Sequence, residues 1–379
     1  MIDTVTLRLT ESQFRIIDHD KFSPSTYNFF HPPFARMGGR GYIDAYQNTT
    51  KSELKEGIYK PQLTLRKRWH TSEPLIFLYI QFSAPKILFG NNFDELVDSD
   101  LDKILSELSS KLIAMGVGLR IKDLKEAKVT KIHYSKNIVL PDYVIPSMVI
   151  GEVRKIDFNL HLELTERDYR NSGHSIRFHA NDFELILYDK KKDLQKSMNS
   201  DSRSIEKDNA IQLNLFEKIK KKKPFEVLRI EARLNTSNKI KSESGISKKY
   251  HTIESLFSSQ LSTKLLRRYW NNLNQSYRLL SYDIEDKEKF LATFIVNNPD
   301  AKLSNALSIY ALIEFTKHMG ISKFRNLIDK KFSRRTWYSL KASLNRYKIN
   351  GKLPDHFDAI TNVLNNYEPL HLDDYINSI

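Results

Sequence analysis

Val227-Leu228-Arg229-Ile230-Glu231-Ala232-Arg233-Leu234 reads as a β-strand of strict alternation. Successive side chains on a strand point to opposite faces. Leu228, Ile230, Ala232 and Leu234 therefore make an apolar core face, and Arg229, Glu231 and Arg233 share the other. Two further stretches follow the same rule. Val129-Thr130-Lys131-Ile132-His133-Tyr134-Ser135 places His133 on a face with Lys131 and Ser135, and Phe183-Glu184-Leu185-Ile186-Leu187-Tyr188-Asp189-Lys190 places Tyr188 with Glu184, Ile186 and Lys190. Residues 2–8, 61–66, 75–83 and 127–135 read as strands, and 174–190 as a hairpin turning near Asn181-Asp182. Ala84-Pro85 ends the ladder of 75–83, because proline has no N–H to donate.

Outward from these strands the pattern changes. Residues 94–115 carry Leu96, Leu101, Ile104, Leu105, Leu108 and Leu112 at helical spacing, with Asp94 as the expected cap and Gly116 as the stop. A helix is also expected over 143–156. Residues 10–60, with Pro24, Pro32, Pro33 and Gly38-Gly39-Arg40-Gly41, read as irregular. Residues 191–223 are highly charged, end in Lys220–Lys223, and read as a solvated insertion. Beyond residue 250 the periodicity is helical over 253–280, 286–296, 302–318, 321–330, 334–347 and 355–366. The fold class expected is α+β: an antiparallel-sheet catalytic domain over 1–260, a helical connector over 261–284, and an all-helical domain over 285–379.

Composition bounds the function. The absence of cysteine excludes disulfides, thiolate chemistry and cysteine zinc sites. The opening MIDTVTLRLT carries Asp3 and alternates like a strand, unlike a signal peptide. The longest apolar runs, such as Leu75 to Ile80, are far too short to span a bilayer, so a cytoplasmic protein without a membrane partner is expected. A formal charge of +14 favours a polyanionic partner, and 18 tyrosines and 21 phenylalanines among the cations suit unstacked single-stranded bases.

One sheet holding these strands gathers a tyrosine, a histidine, a carboxylate and several cations on one surface, a set suited to phosphodiester transesterification. A tyrosine hydroxyl must lose its proton as it attacks. A divalent ion held by histidine and carboxylate polarises the scissile phosphate, and nearby Lys and Arg, such as Lys190, stabilise charge on the phosphoryl oxygens. Each piece has a plainer reading: a strand tyrosine is usually a packing residue, a strand histidine a satisfied core group, and Arg-x-Glu-x-Arg a ladder of salt bridges.

At these residues the chain resembles the gene II replication endonuclease family of filamentous phages, the II/X type of phage and plasmid replication proteins. Met1 to Leu9 is similar to the family's opening strand. Ser83-Ala84-Pro85-Lys86-Ile87-Leu88-Phe89-Gly90-Asn91-Asn92 resembles its Ser-Pro-x-Lys-hydrophobic-hydrophobic-x-Gly-x-Asn segment. Leu187-Tyr188-Asp189-Lys190 resembles its tyrosine strand, and Leu228 to Leu234 its Arg-hydrophobic-Glu-Ala-Arg strand. The resemblance implies a rolling-circle initiator that nicks and rejoins one strand of an origin through a phosphotyrosine intermediate, with Mg²⁺ or Mn²⁺ as cofactor and host helicase and polymerase as partners. It makes Tyr188 the nucleophile, Glu231 a catalytic metal ligand, and Lys191, Arg229 and Arg233 DNA contacts. Lys131-Ile132-His133 departs from the family's Arg-Ile-Asp, so His133 is expected to take the aspartate's place as ligand, with His174 and His179 as spares. Tyr269 and Tyr277 are reserve nucleophiles.

Ser333-Arg334-Arg335-Thr336-Trp337-Tyr338 falls where that family has a C-terminal helical module. A helix from Gly320-Ile321-Ser322, a turn near Lys331-Phe332-Ser333 and a basic helix capped by Ser333 resemble a helix-turn-helix, with Arg334, Arg335, Lys341 and Arg346 toward DNA. The alternatives are a non-catalytic DNA-binding replication or regulatory protein on the same fold, for which the His133 departure speaks, and a transposase-like strand transferase.

Overall fold

The computed structural model describes residues 1–22, 42–50, 52–53, 58–70, 73–156, 163–165, 174–193, 226–277, 280–281, 286–349, 351 and 353–371. The charged insertion expected over 191–223 falls almost wholly outside them. The strands are β1 (Ile2–Thr10), β2 (Arg15–Ile16), β3 (Tyr42–Gln47), β4 (Gln62–His70), β5 (Glu73–Ser83), β6 (Val117–Gly118), β7 (Lys128–Val139), β8 (Glu163–Thr165), β9 (Ser175–His179), β10 (Phe183–Asp189) and β11 (Val227–Leu234). Nine of them form one sheet in the order β3-β4-β5-β1-β7-β11-β10-β9-β8. Every neighbouring pair in it is antiparallel. The α+β class is thus the observed one.

The alternation read from the sequence places the core. Val5, Leu7 and Leu9 of β1, Leu78, Ile80 and Phe82 of β5, Ile132 and Tyr134 of β7, and Leu228, Ile230, Ala232 and Leu234 of β11 are all buried. Helices α1 (Ala84–Phe89), α2 (Leu101–Ala114) and α3 (Ile121–Glu126) cover the β1–β5 half of that face. Helices α4 (Pro146–Arg154), α5 (Ser237–Ser244), α6 (Ile253–Leu256) and α7 (Ser259–Tyr277) cover the β7–β9 half. Among the described residues no helix is long and apolar enough to cross a membrane.

Several boundaries differ from expectation. The helix expected from residue 94 begins at Leu101 after a 3-10 turn over Asp98–Asp100, because Asp94 is held back in the preceding loop by Asn91 (2.9 Å). β3 adds an edge strand within the stretch read as irregular. The expected helix over 253–280 breaks into α6 and α7 at Phe257-Ser258, where Asp98 caps the new helix from the Ser259 backbone N–H (2.7 Å) and hydroxyl (2.6 Å).

The expected connector over 261–284 is a core element. Leu265, Leu266, Tyr269, Trp270 and Leu273 of α7 are buried, and Tyr269 stacks on Phe183 of β10 at 4.8 Å between ring centroids. The helical tail continues as α8 (Lys287–Asn297), α9 (Leu303–Met319), α10 (Ile321–Lys331), α11 (Arg334–Arg346) and α12 (Asp355–Asn366). α8 to α11 pack on one another, whereas α12 returns to α7 and β7. There Phe357 meets Trp270 at 5.1 Å, and the Trp270 indole N–H donates to the Thr361 hydroxyl at 2.9 Å. Only Phe332 and Ser333 separate α10 from α11. Ser333 has the extended backbone of an N-cap, but its side chain makes no capping bond.

Candidate functional site

The polar face of the sheet centre is a lattice fixed by register. His133 of β7 pairs with Arg233 of β11, Ser135 with Glu231, and Asn137 with Arg229. On the far side of β11, Arg233 pairs with Glu184, Glu231 with Ile186, and Arg229 with Tyr188. The three strands that carry the sequence motifs are therefore adjacent, with their motif residues on one face.

Asp3 completes the set, and the sequence pattern had hidden it. By strict alternation Asp3 shares the apolar face with Val5, Leu7 and Leu9. Yet Ile2 stands opposite Tyr134 and Val5 opposite Ile132, so three residues of advance on β1 match two on β7. All four are core residues. The extra residue is a β-bulge, which re-aims a side chain, and it turns Asp3 onto the polar face. Asp3, His133 and Glu231 each offer one ligand atom, and these lie within 4.8 Å of one another.

Glu231 is the hub. Its Oε1 accepts from Arg233 Nε at 2.8 Å and lies 3.4 Å from His133 Nδ1, while its Oε2 accepts from the Tyr188 hydroxyl at 3.4 Å. Burial pushes the Glu231 carboxyl up, but Arg233, His133 and Arg229 outweigh it and hold the group well below the usual carboxylate range. Tyr188 is half-buried. Burial drives its phenol well above its ordinary value of 10.0; Arg229 opposes this, and Glu231 adds to it. The hydroxyl is consequently protonated at neutral pH.

The expected DNA contacts divide by burial. Arg229 is inside: it donates to Asp3 Oδ1 (2.8 Å), Ser135 Oγ (2.7 Å) and the Asn92 carbonyl (2.5 Å), and only 3% of its side chain is exposed. A guanidinium so committed is an internal counterion, which corrects its reading as a DNA contact. Lys190 is fully enclosed, bonded to Asn92 Oδ1 at 2.8 Å, with Asp193 at 3.7 Å. Burial lowers its pKa to about 7, and Arg229 adds to the effect. Arg233 remains one-third exposed while bound to Glu231 and, at 3.4 Å, to Glu184. Lys191 pairs with Glu226 at 3.3 Å.

Asn92 is a second residue whose place the sequence did not give, although the Ser83–Asn92 segment contains it. α1 ends at Gly90 in the left-handed region (φ 71°), and an Asn91 turn bonds the N–H groups of Phe93 (2.8 Å) and Asp94 (2.9 Å). Asn92 is thereby carried across the sheet end, its carbonyl on Arg229 and its amide oxygen on Lys190.

The reserve candidates lie elsewhere. Tyr269 packs on Phe183 on the opposite face, and Tyr277 donates to Glu152 at 2.6 Å. His174 sits 3.5 Å from Asp189 and contacts Lys192. Neither His174 nor His179 belongs to the Asp3, His133 and Glu231 group. In the tail, Arg335 is exposed at the start of α11, the helix that opens at Arg334 and buries Trp337.

The polar face runs on across β1, β5 and β4. Arg8 lies over Phe77 at 5.1 Å and Arg66 over Tyr79 at 5.0 Å, and Thr6 faces the exposed Lys131. Stacked cation–aromatic pairs thus continue from the Tyr188 lattice toward the sheet edge. No protein-family model, curated protein or solved structure matches this chain.

Proposed function

We propose that the chain is a DNA nicking-and-joining enzyme of the rolling-circle initiator type, with Tyr188 as nucleophile. The observation that carries this reading is the meeting of the Tyr188 hydroxyl with Glu231 Oε2 at 3.4 Å, on the face where Asp3 and His133 also converge. Two carboxylate oxygens and one imidazole nitrogen are a donor set suited to Mg²⁺ or Mn²⁺. Asp3, His133 and Glu231 would hold the ion, each offering one ligand atom within 4.8 Å of the others. Arg229 on Asp3 and Arg233 on Glu231 orient the carboxylates from behind. The residues fit such an ion, which when bound supplies Lewis-acid polarisation of the scissile phosphate.

The chain's own residues supply the rest. The Tyr188 oxygen attacks phosphorus as its proton passes to solvent, while Glu231, held ionised by Arg233 and His133, accepts the hydroxyl's hydrogen bond and orients it. The tyrosine O–P bond forms, the P–O3′ bond breaks, and the leaving 3′ oxygen takes a proton from solvent to become a hydroxyl. Religation is the reverse displacement by a 3′ hydroxyl. Arg233, at the rim, is placed to meet charge on the phosphoryl oxygens. Phe77 and Tyr79 provide rings, and Arg8 a cation, for unpaired nucleotides leading to the site, while Arg66, laid over Tyr79, is neutralised by two 2.7 Å bonds to Asp44.

The test is a covalent-adduct assay. The full chain is incubated with Mn²⁺ and a pool of end-labelled single-stranded oligonucleotides, and adducts surviving denaturation are mapped by peptide mass. Label is expected on Tyr188, to be lost in Tyr188→Phe and retained in Tyr269→Phe and Tyr277→Phe. Label on another tyrosine overturns the assignment. DNA binding without any adduct favours the non-catalytic reading. A transposase-like transferase has the same chemistry and is distinguished by joining the adduct strand to a second DNA.

A further inference from the structure

The sheet site does not account for the outward face of α7. This 19-residue helix contains no aspartate or glutamate, in a chain that carries 46 of them among 379 residues. Its buried stripe serves the core. Its other side exposes Lys264, Arg267, Asn271, Asn272 and Gln275. With the end of α12 this side forms a groove of ≈ 870 Å³, lined by Lys264, Arg267, Arg268, Asn271, Asn365 and Asn366 among others, with no carboxylate among its described lining residues. Arg268 is tied to Glu243. Among the described residues, Lys264 and Arg267 have no acidic partner.

We propose that the α7–α12 groove grips the phosphate backbone of duplex DNA, on the side of the sheet opposite Tyr188. This rests on the chain being a DNA-binding protein, but not on the chemistry at Tyr188. Three features select the occupant. Two cations with no acidic partner among the described residues, in a groove with no acid among its described lining residues, are complementary to a polyanion. The amides and hydroxyls beside them are the groups that bond phosphate and sugar oxygens. A single strand would instead call for stacking rings, and among the described residues the groove offers one aromatic, Tyr367, whose hydroxyl already bonds Ser262 and the Met1 amino group. The polar stripe from Gln260 to Gln275 extends about 22 Å at 1.5 Å per residue, the axial length of roughly six base pairs at 3.4 Å each. The two faces of the molecule would thus hold different forms of DNA: unpaired nucleotides on the sheet and a duplex flank on α7.

The experiment compares the full chain with its Lys264→Ala/Arg267→Ala variant. Both side chains are exposed, so folding is not at stake. Binding of a labelled 20-base-pair duplex and of a single-stranded 20-mer is measured by anisotropy from 50 to 200 mM KCl. Each phosphate contact contributes about −0.9 to the slope of log K against log salt. The variant should therefore bind duplex less tightly at 50 mM and show a slope shallower by about 1.8. Over the fourfold change in salt its affinity should fall by about 12-fold less than the wild type's. Its single-strand binding should be unchanged. An unchanged duplex slope overturns the proposal, as does an equal loss for both DNAs. Wild-type protein that binds single strands but no duplex refutes the groove alone. Wild-type protein that binds neither removes the DNA reading together with it.

Discussion

Asp3 gives the sharpest test, because the structure assigns it two tasks with different readouts. Among the described residues it is the one charged partner bonded to a buried guanidinium: Arg229 has Asp3 Oδ1 at 2.8 Å, and its other acceptors, the Ser135 hydroxyl and the Asn92 carbonyl, are neutral. Removing one member of a buried ion pair costs about 3–5 kcal/mol, because the other charge stays behind. Asp3→Ala should approach that range. Asp3→Asn retains an oxygen where Arg229 donates and forfeits only the charge-assisted part, about 1.5–3 kcal/mol. For a unit of 150–250 residues each kcal/mol moves Tm by about 2–4 °C, so the asparagine variant should melt roughly 3–12 °C low and still fold. The second task is ligation. Loss of supporting groups behind a ligand costs about 10–100-fold in metal affinity, and loss of a ligand should cost at least as much. Thermal unfolding followed by circular dichroism reads the first task; Mn²⁺ titration calorimetry on the folded asparagine variant reads the second. Unchanged melting together with unchanged Mn²⁺ affinity would refute both, and with them the claim that the bulge in β1 delivers Asp3 to the site. Normal Mn²⁺ binding at a lowered Tm would leave Asp3 as a counterion only.

Two further outcomes follow from buried groups. Lys190 has a folded pKa of about 7 against an ordinary 10.5, so between those values the unfolded chain binds more protons than the folded one. Stability should then rise with pH across that window, by up to about 1.4 kcal/mol per unit, with the whole penalty present below pH 7. Lys190→Met should flatten the rise, and urea midpoints at pH 7, 8 and 9 with equal slopes in the two proteins would show the reasoning to be wrong. The sequence suggests that a fragment ending near residue 283 is a self-sufficient nicking unit, whereas the return of α12 to α7 makes this a poor division. Phe357 is 1% exposed between Trp270 and Tyr277, and Phe357→Ala should cost about 3–5 kcal/mol. The fragment should expose Trp270, seen as a red-shifted emission and protease sensitivity; a fragment with native emission would restore the two-domain division.

What was legible in the sequence was whatever depends on parity. The period-two alternation of 227–234, 131–135 and 183–190 sorted core from polar face on three strands, and those strands proved to be neighbours, so Tyr188, Glu231 and His133 came together on one face; it fails at Val129, which a second register shift against β1 returns to the core. Asp3 was not legible, because a bulge changes parity without changing composition: IDTVTLRLT reads as an unbroken strand with Asp3 on the side of Val5. The fate of α7 was hidden for a different reason. A helix with one apolar stripe can lie on a sheet or bridge two domains, and the stripe of Leu265, Leu266, Trp270 and Leu273 does not say which surface receives it. The packing of α12 depends on contacts such as Trp270 with Thr361, 91 residues apart, for which local pattern carries no signal.

Counting cations on the polar face overstates what nucleic acid can touch there. Arg229, Arg233, Lys190 and Lys191 look equivalent in the sequence, but a charge that bonds inward is spent on the fold. Burying a guanidinium or an ammonium is expensive unless it is paired, and Asn92 is the residue that makes both burials tolerable, by giving its carbonyl to Arg229 and its amide oxygen to Lys190. Those two cations shape the electrostatics under Tyr188 and hold the Asn91–Asp94 loop against the sheet end. Arg66 over Tyr79 is likewise tied to Asp44 by two bonds of 2.7 Å. On the proposed DNA-binding reading the charges left are the exposed Lys131, Arg8 over Phe77 and the one-third-exposed rim of Arg233. They follow the strands away from Tyr188, in the direction an unpaired strand would take from the point of attack.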